Sequence, residues 1–507
     1  MSAPTALDEG ALERGIAWLI PAQAPGGRPP DGGAERRSRD ALSVLGREHD
    51  TLCRQACDPF EIAAGLEASG LNDTSVRGRY CFAGVFELAE TLWQRVPWRA
   101  GHPVGLAAWP SMPLWRAQAR GLTYVLPAAV AALAANQVPG LGGQVLLLAM
   151  TIVSITVGQA LSLLGHLLVG TGRRPVAYAL ARLALAAAVA VTTTLGVALV
   201  AGGVSVAVAV AAASQVVFMV AATFLVVLGA DLVLLAALVP GSVLCVLSAT
   251  GAISAWLPVS TAGAVAVSVL VVVAGPCLAL VAVAHRRGGE HSGVQGGVSA
   301  VRAALGPVET SLAALAAGYG FSVALCVSVP LFAARMGRVP ATGTQVLIAT
   351  LPLILTFGLA EYLLHRARHR CVAGSRRADR VRSFRSVARR ELLTMVAVQG
   401  AVLVVLGCTA ARLLTRVGSN PSVILYTAVY CVLGLVLLLT TTLMSFGCIA
   451  PAAAVTATAA AALGLPLLAG RADGPQLAAA QLVIAVVLFA VAYWRTATHF
   501  ASTAVHR

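Results

Sequence analysis

The chain has 507 residues, 58% of them hydrophobic and 11% charged, with a mean hydropathy of +0.83. A soluble globular domain carries about a quarter of its residues as charges, so this composition excludes one. The net charge of +15 is unevenly spread: residues 1–97 hold 14 of the 21 acids against 10 arginines, a balance of −4, and the remainder carries +19. All 36 basic residues are Arg, which, with the Ala, Val and Gly excess, resembles the usage of a GC-rich, actinobacterial genome and not a phosphate-recognition device.

Residues 1–40 read as an N-terminal linker: a short helix over 1–20, then a Pro/Gly-rich charged stretch over 21–40. Asp8, Glu9 and Glu13 stand where a cleavable signal peptide would have a basic region. Residues 41–97 read as a small cytoplasmic helical module. Asp58-Pro59-Phe60-Glu61 is a helix start, Gly70 a stop, and Val85, Leu88, Leu92 and Val96 share one helix face before Pro97.

Within this module EIAAGLEASGLNDTSVRGRY, residues 61–80, has the look of a helix-turn-helix. Three residues separate Leu66 from Gly70, which lengthens the first helix by nearly a turn and rotates the second away. Over 58–99 six acids face four arginines, the wrong sign for a phosphate backbone, so no nucleic-acid partner is expected. Asn72 or Asp73 is the expected cap of a short helix, and the module is expected to dock a protein partner. His49, Cys53 and Cys57 would share a helix face, but the spacing departs from known His-Cys-Cys sites and no metal is assigned.

Residues 98–120, with Trp98, Trp109 and Trp115, read as an interfacial segment. Twelve spans follow, at 121–137, 143–169, 176–201, 206–229, 232–249, 260–284, 307–333, 342–364, 391–411, 422–446, 450–469 and 475–494. Runs this apolar are helices, because hydrocarbon offers no partner to free backbone groups. With both termini cytoplasmic, Arg173, Arg174, Arg286, Arg287, Arg302 and the ten arginines of loop 365–390 all fall inside, as the positive-inside rule demands of an inner-membrane protein. Loop 365–390 reads as a topology anchor. The cytoplasmic linker 285–306 divides the spans into a first lobe (121–284) and a second (307–494), with a cytoplasmic tail over 495–507. The fold class is therefore all-α: a polytopic membrane protein of about twelve helices in two six-helix lobes, with a small helical head.

Residues 159–199 carry a polar residue in the second span, a Gly-Arg-Arg turn and a small-residue helix with an inner Arg; LPLILTFGLAEYLL and the spans after it echo this in the second half. This pattern, over roughly 120–495, resembles the multidrug/oligosaccharidyl-lipid/polysaccharide (MOP) flippase superfamily. The resemblance implies alternating access between two lobes and translocation of a lipid-linked or amphipathic cell-envelope precursor. The major facilitator superfamily is the lesser alternative: Gly165 through Arg174 match the glycines and Arg pair of its loop between spans two and three, but Val169 and Gly170 replace the Asp and first Arg.

Ionisable residues inside spans are expensive and point to function. In a flippase-like bundle Arg116, Arg120 and Arg182 would hold a lipid-linked pyrophosphate, since guanidinium pairs bidentately with phosphate oxygens; His166 and Gln159 join them as candidate substrate contacts. Asp231, Glu309 and Glu361 are the candidate ion-coupling acids. No acid falls at a span centre, and that motivates the alternative of a transport-inactive scaffold recruiting cytoplasmic partners in envelope growth or cell division. No nucleotide loop, zinc-protease box or nucleophile elbow occurs, so neither an enzyme nor a cofactor is expected, and the expected partners besides a docked protein are membrane lipids.

Overall fold

Side-chain caps set the start of two head helices, at Asp58 and Asn72. In the computed structural model the described residues are 41–56, 58–95, 113–135, 140–249, 261–288, 294–336, 338–339, 341–375, 381–468 and 474–500, and no strand occurs among them. The chain divides into two compact units, Met1–Ala108 and Trp109–Arg507.

The first unit holds α1 (41–48), α2 (Asp50–Gln55), α3 (Pro59–Ala68), α4 (Asp73–Tyr80) and α5 (Val85–Arg95). The Asp58 carboxylate accepts from the Glu61 amide at 2.9 Å, so the sequence-level start at Asp58-Pro59 holds. Of the two cap candidates before the fourth helix, Asn72 is the cap: it and Ser75 exchange bonds of 2.9 Å each way. Asp73 reaches instead to the Val85 amide, 2.9 Å away, and ties α4 to the start of α5. Gly70, at φ 93°, supplies the left-handed turn that ends α3. Ile62, Leu66, Val76, Val85, Leu88 and Leu92 form the core, with Cys53 fully buried among them. Burial, and then Asp50, push the Cys53 thiol up. Cys57 and Val96 lie outside the described residues.

The second unit holds α6 (Leu114–Ala135), α7 (Leu141–Gly170), α8 (Arg174–Ala201), α9 (Val206–Val227), α10 (Asp231–Ala249), α11 (Thr261–Gly288), α12 (Val294–Ala304), α13 (Pro307–Arg335), α14 (Gly343–Leu355), α15 (Phe357–Ser375), α16 (Val381–Arg416), α17 (Pro421–Ser445), α18 (Ile449–Leu468) and α19 (Gly474–Phe500). Among the described residues eleven helical segments are long and apolar enough to cross a membrane, against twelve spans expected; α14 and α15 count together as one of them. The difference is α6, which begins at Leu114 and not at 121, so that Arg116, Gln118 and Arg120 dilute its apolar run. Of the expected interfacial segment 98–120, residues 98–112 lie outside the described residues, and from Leu114 on it is helical as the start of α6.

Two further expectations change. The eighth span is broken at Thr356, whose hydroxyl donates to the Pro352 and Leu353 carbonyls of its own last turn, both at 3.0 Å. The basic loop 365–390 is largely helical, because α15 runs on to Ser375 and α16 starts at Val381 and extends for 36 residues. Ala367, Cys371, Ala388 and Leu392 pack between these extensions, and Arg370 pairs with Glu391 at 2.9 Å. The turn between α9 and α10 falls at Gly229, φ 72°, where the sequence divides the fourth span from the fifth.

The two halves repeat in their packing although their residues do not. In the first lobe α9 packs on α7, α8 and α11, and α10 packs on α6 and α11. Six spans later α17 packs on α14, α16 and α19, and α18 packs on α13 and α19. The lobes also meet reciprocally: the second span (α7) lies against the seventh (α13), and the first (α6) against the eighth (α14 and α15). This is the signature of an internal repeat related by a pseudo-two-fold axis. Each crossing is built on glycine. A Cβ on Gly320 of α13 would lie 2.8 Å from Cβ of Gln159 on α7, and one on Gly121 of α6 would lie 2.9 Å from Cα of Gly358 on α15.

Candidate functional site

The close approach of α6 and α15 decides which charges meet. Gly121 and Gly358 bring the two backbones together, and the Tyr124 ring lies 5.8 Å from that of Phe357. One residue before Gly121 stands Arg120, and one turn after Gly358 stands Glu361. The two are hydrogen-bonded as an ion pair across the lobe boundary.

A second carboxylate completes the cluster from within the first lobe. Asp231 opens α10, beside α6, and its side chain is 1% exposed. Arg116 donates to it bidentately, Nε to Oδ2 at 3.1 Å and Nη2 to Oδ1 at 3.0 Å, and Arg120 Nε lies 3.9 Å away. A buried carboxylate is tolerated only when paired in this way. His365, one turn beyond Glu361, places Nε2 3.9 Å from its carboxylate, and His166 of α7 stands within Coulombic reach of the same group. Two guanidinium groups and two carboxylates from α6, α10 and α15 therefore form one network, joined across the lobes through the Arg120–Glu361 pair.

Arg116 and Arg120, expected to be substrate contacts, and Asp231 and Glu361, expected to couple ions, are one another's partners. A phosphate could take the donors now on Asp231 and Glu361 only by displacing a carboxylate, although Arg116, 40% exposed, keeps its Nη1 group outside the Asp231 pair. The other candidates sit outside these hydrogen bonds. The His166 ring nitrogen Nδ1 is 2.8 Å from the Ser162 carbonyl within α7, and the ring is otherwise exposed. Gln159 packs its stem on Gly320. Arg182 is half-buried on α8, outside these ion pairs. Glu309 turns back to accept from the Gly306 amide at 3.0 Å, which caps α13. Among the described residues no group of three His, Cys, Asp or Glu is placed to hold a metal.

The sequence reading missed His365 and the glycine pair. His365 was hidden in a segment that scans as a basic loop. The pairing itself was in reach: by the span order Arg116, Arg120, Asp231, Glu361 and His166 all belong to one end of the bundle. Of the polar residues within spans, Gln215 accepts from Thr151 at 2.7 Å, and Gln399 directs Nε2 at the Thr356 carbonyl, 3.5 Å away, at the break in the eighth span.

No protein-family model and no curated protein matches the chain. Solved structures do. A MATE crystallised in complex with Br-NRF superposes with a TM-score of 0.52 at 11% identity, covering 77% of this chain and 95% of that one. A MATE in the straight conformation gives 0.52 at 13% identity, over 76% and 96%. The Vibrio cholerae MATE transporter VcmN in the bent form gives 0.50 at 15% identity, again over 76% and 96%. The likeness is one of fold, to MATE transporters. With two six-span halves, reciprocal crossings and this likeness, the chain is an all-α polytopic membrane protein of MATE-like fold.

Proposed function

We propose that this chain is a transporter that moves an anionic, lipid-linked or amphipathic cell-envelope precursor across the inner membrane by alternating access. The observation that carries the reading is the Arg120–Glu361 pair, which joins the two lobes at one end of the bundle. Ten arginines follow or flank this end over 365–390, so by the positive-inside rule it faces the cytoplasm, as do both termini. Parting the lobes there requires breaking this pair. An anionic headgroup would lower the barrier by taking over Arg120 and Arg116 from Glu361 and Asp231, since charge-assisted bidentate bonds to phosphate match those to carboxylate. Protonation of Glu361 would do the same from the other partner, which makes it the favoured ion-coupling acid of the three candidates; Glu309 is engaged as a helix cap.

The test uses the full chain in proteoliposomes with a short-chain, fluorescently labelled lipid pyrophosphate as probe, its leaflet read by dithionite quenching. Glu361→Gln and Arg120→Gln should each slow probe movement at least tenfold. Glu361→Gln should also increase labelling of His166→Cys by an impermeant maleimide from the arginine-rich side. If probe movement in both variants matches the unaltered chain, the transport reading fails. If cell growth tolerates both variants but not removal of residues 1–97, the scaffold reading takes its place.

A further inference from the structure

The head carries a surface feature that its fold does not need. Phe60 and Phe86 are 69% and 56% exposed, yet their rings contact each other, centroids 5.7 Å apart and edge to face. Each occupies the second position of its helix, on α3 and α5, which pack side by side. Single exposed apolar residues are ordinary, but two large aromatic rings in contact and rimmed by polar groups mark a recognition surface. On α3 the exposed Ala64 and Glu67 follow Phe60 on the same face, and on α5 Glu90 follows Phe86 by one turn. The two helices together carry Glu61, Glu67, Glu87 and Glu90 against the single Arg95 at the far end of α5. The surface is therefore an aromatic platform within an acidic field.

We infer that the Phe60–Phe86 face is a docking site for a protein segment that presents an aliphatic or aromatic anchor flanked by Arg or Lys. An apolar anchor covers the rings, and the flanking cations answer the glutamates, which set orientation and encounter rate. The sign of the charge selects this occupant over a lipid surface: anionic headgroups repel an acidic face, whereas they attract basic ones. Nucleic acid is disfavoured for the same reason. The inference does not rest on the transport reading, because it concerns residues of the head alone.

Photo-crosslinking of the full chain in living cells tests it, with p-benzoylphenylalanine in place of Ala64. The expected result is an adduct whose crosslinked peptide, identified by mass spectrometry, bears an apolar anchor flanked by Arg or Lys. Phe60→Ala combined with Phe86→Ala should reduce that adduct at least tenfold. Glu67→Gln combined with Glu90→Gln, which alters only exposed charge and leaves the core untouched, should reduce it severalfold, and both variants should express at the level of the parent. Adducts to lipid alone, adducts to an acidic or uncharged segment, no adduct at all, or an adduct unchanged in both variants each overturn the inference.

Discussion

Gly121 and Gly358 meet backbone to backbone where the first and eighth spans cross, and neither position has room for a methyl group. A Cβ on Gly358 would lie 2.5 Å from the Ala117 carbonyl oxygen, and one on Gly121 2.9 Å from the Gly358 amide and Cα. The obstacles are backbone atoms, which cannot turn aside as a side chain can. Gly358→Ala should therefore force the helices apart and cost about 1–3 kcal/mol. Gly318→Ala is the matched control: nothing lies within 4 Å of a Cβ there, so the change should be neutral or gain up to about 1 kcal/mol from the helix preference for Ala. Thermal unfolding of the detergent-purified chain reads both. Equal effects would mean that the crossing is looser than its geometry.

The same crossing sets the weights of the two carboxylates. Asp231 is 1% exposed and holds Arg116 bidentately, whereas Glu361 is 23% exposed and shares Arg120 with Asp231. Asp231→Asn should destabilise by about 2 kcal/mol, because it removes the charge-assisted bidentate bond of a buried carboxylate to a half-exposed Arg116. Glu361→Gln leaves Arg120 with Asp231 and should cost about 1 kcal/mol, so its effect falls on lobe opening more than on stability. Unfolding midpoints of the two variants, measured side by side, check the order; a larger loss for Glu361→Gln would reverse these roles.

How far the sequence carries this architecture can be judged from particular residues. Apolar runs of 20 or more and Arg-bearing turns such as 170–175 mark the spans and their order, because bilayer thickness and the positive-inside bias act on composition. The break at Gly229-Ala230-Asp231 was legible for the same reason. The extension of α15 and α16 beyond the membrane was not, since Arg366 to Arg390 scan as a solvated loop until Ala367, Cys371, Ala388 and Leu392 are found facing one another. Nor was the repeat, which resides in which helices touch and not in which residues they carry. Arg116 and Asp231 are separated by 115 positions; that each is an expensive charge can be read in one dimension, but that each neutralises the other cannot.

In the head, Cys53 and Cys81 should behave oppositely toward thiol reagents. Cys53 is fully buried, and burial raises its pKa above the ordinary 9.0, whereas Cys81 is exposed. Thiolate is the reactive form. A maleimide at pH 8 should modify Cys81 within minutes and Cys53 only as the head unfolds, as peptide mapping of the labelled chain would record. The raised thiol also fixes a sign for stability. The native state keeps its proton longer than the unfolded chain does, so this contribution is complete below pH 9.0 and is lost as pH rises through the higher native value. Labelling of Cys53 should accelerate in that window beyond what thiolate chemistry alone explains.

Gln399 offers a test of whether the break in the eighth span moves. The residue is 1% exposed, its Oε1 finds no hydrogen-bond partner among the described residues, and its Nε2 reaches the Thr356 carbonyl at 3.5 Å, a marginal bond. That carbonyl already accepts from the Ala360 amide at 2.9 Å, so removing Gln399 orphans nothing. Gln399→Leu has nearly the same volume and deletes an unsatisfied buried oxygen, and should therefore stabilise the chain by about 1 kcal/mol. A polar side chain that lowers stability beside a helix break is explained if the break must rearrange when the lobes part, because stability and movement then oppose each other. The variant should accordingly unfold at a higher temperature but move the labelled lipid pyrophosphate more slowly. Gln481→Leu is the comparison: it also removes an unpartnered Oε1, but it deletes a 3.0 Å bond to the Leu463 carbonyl and touches no break, so both stability and transport should stay near the parent. If Gln399→Leu lowers stability instead, the residue is helix glue and the eighth span has no need to flex there.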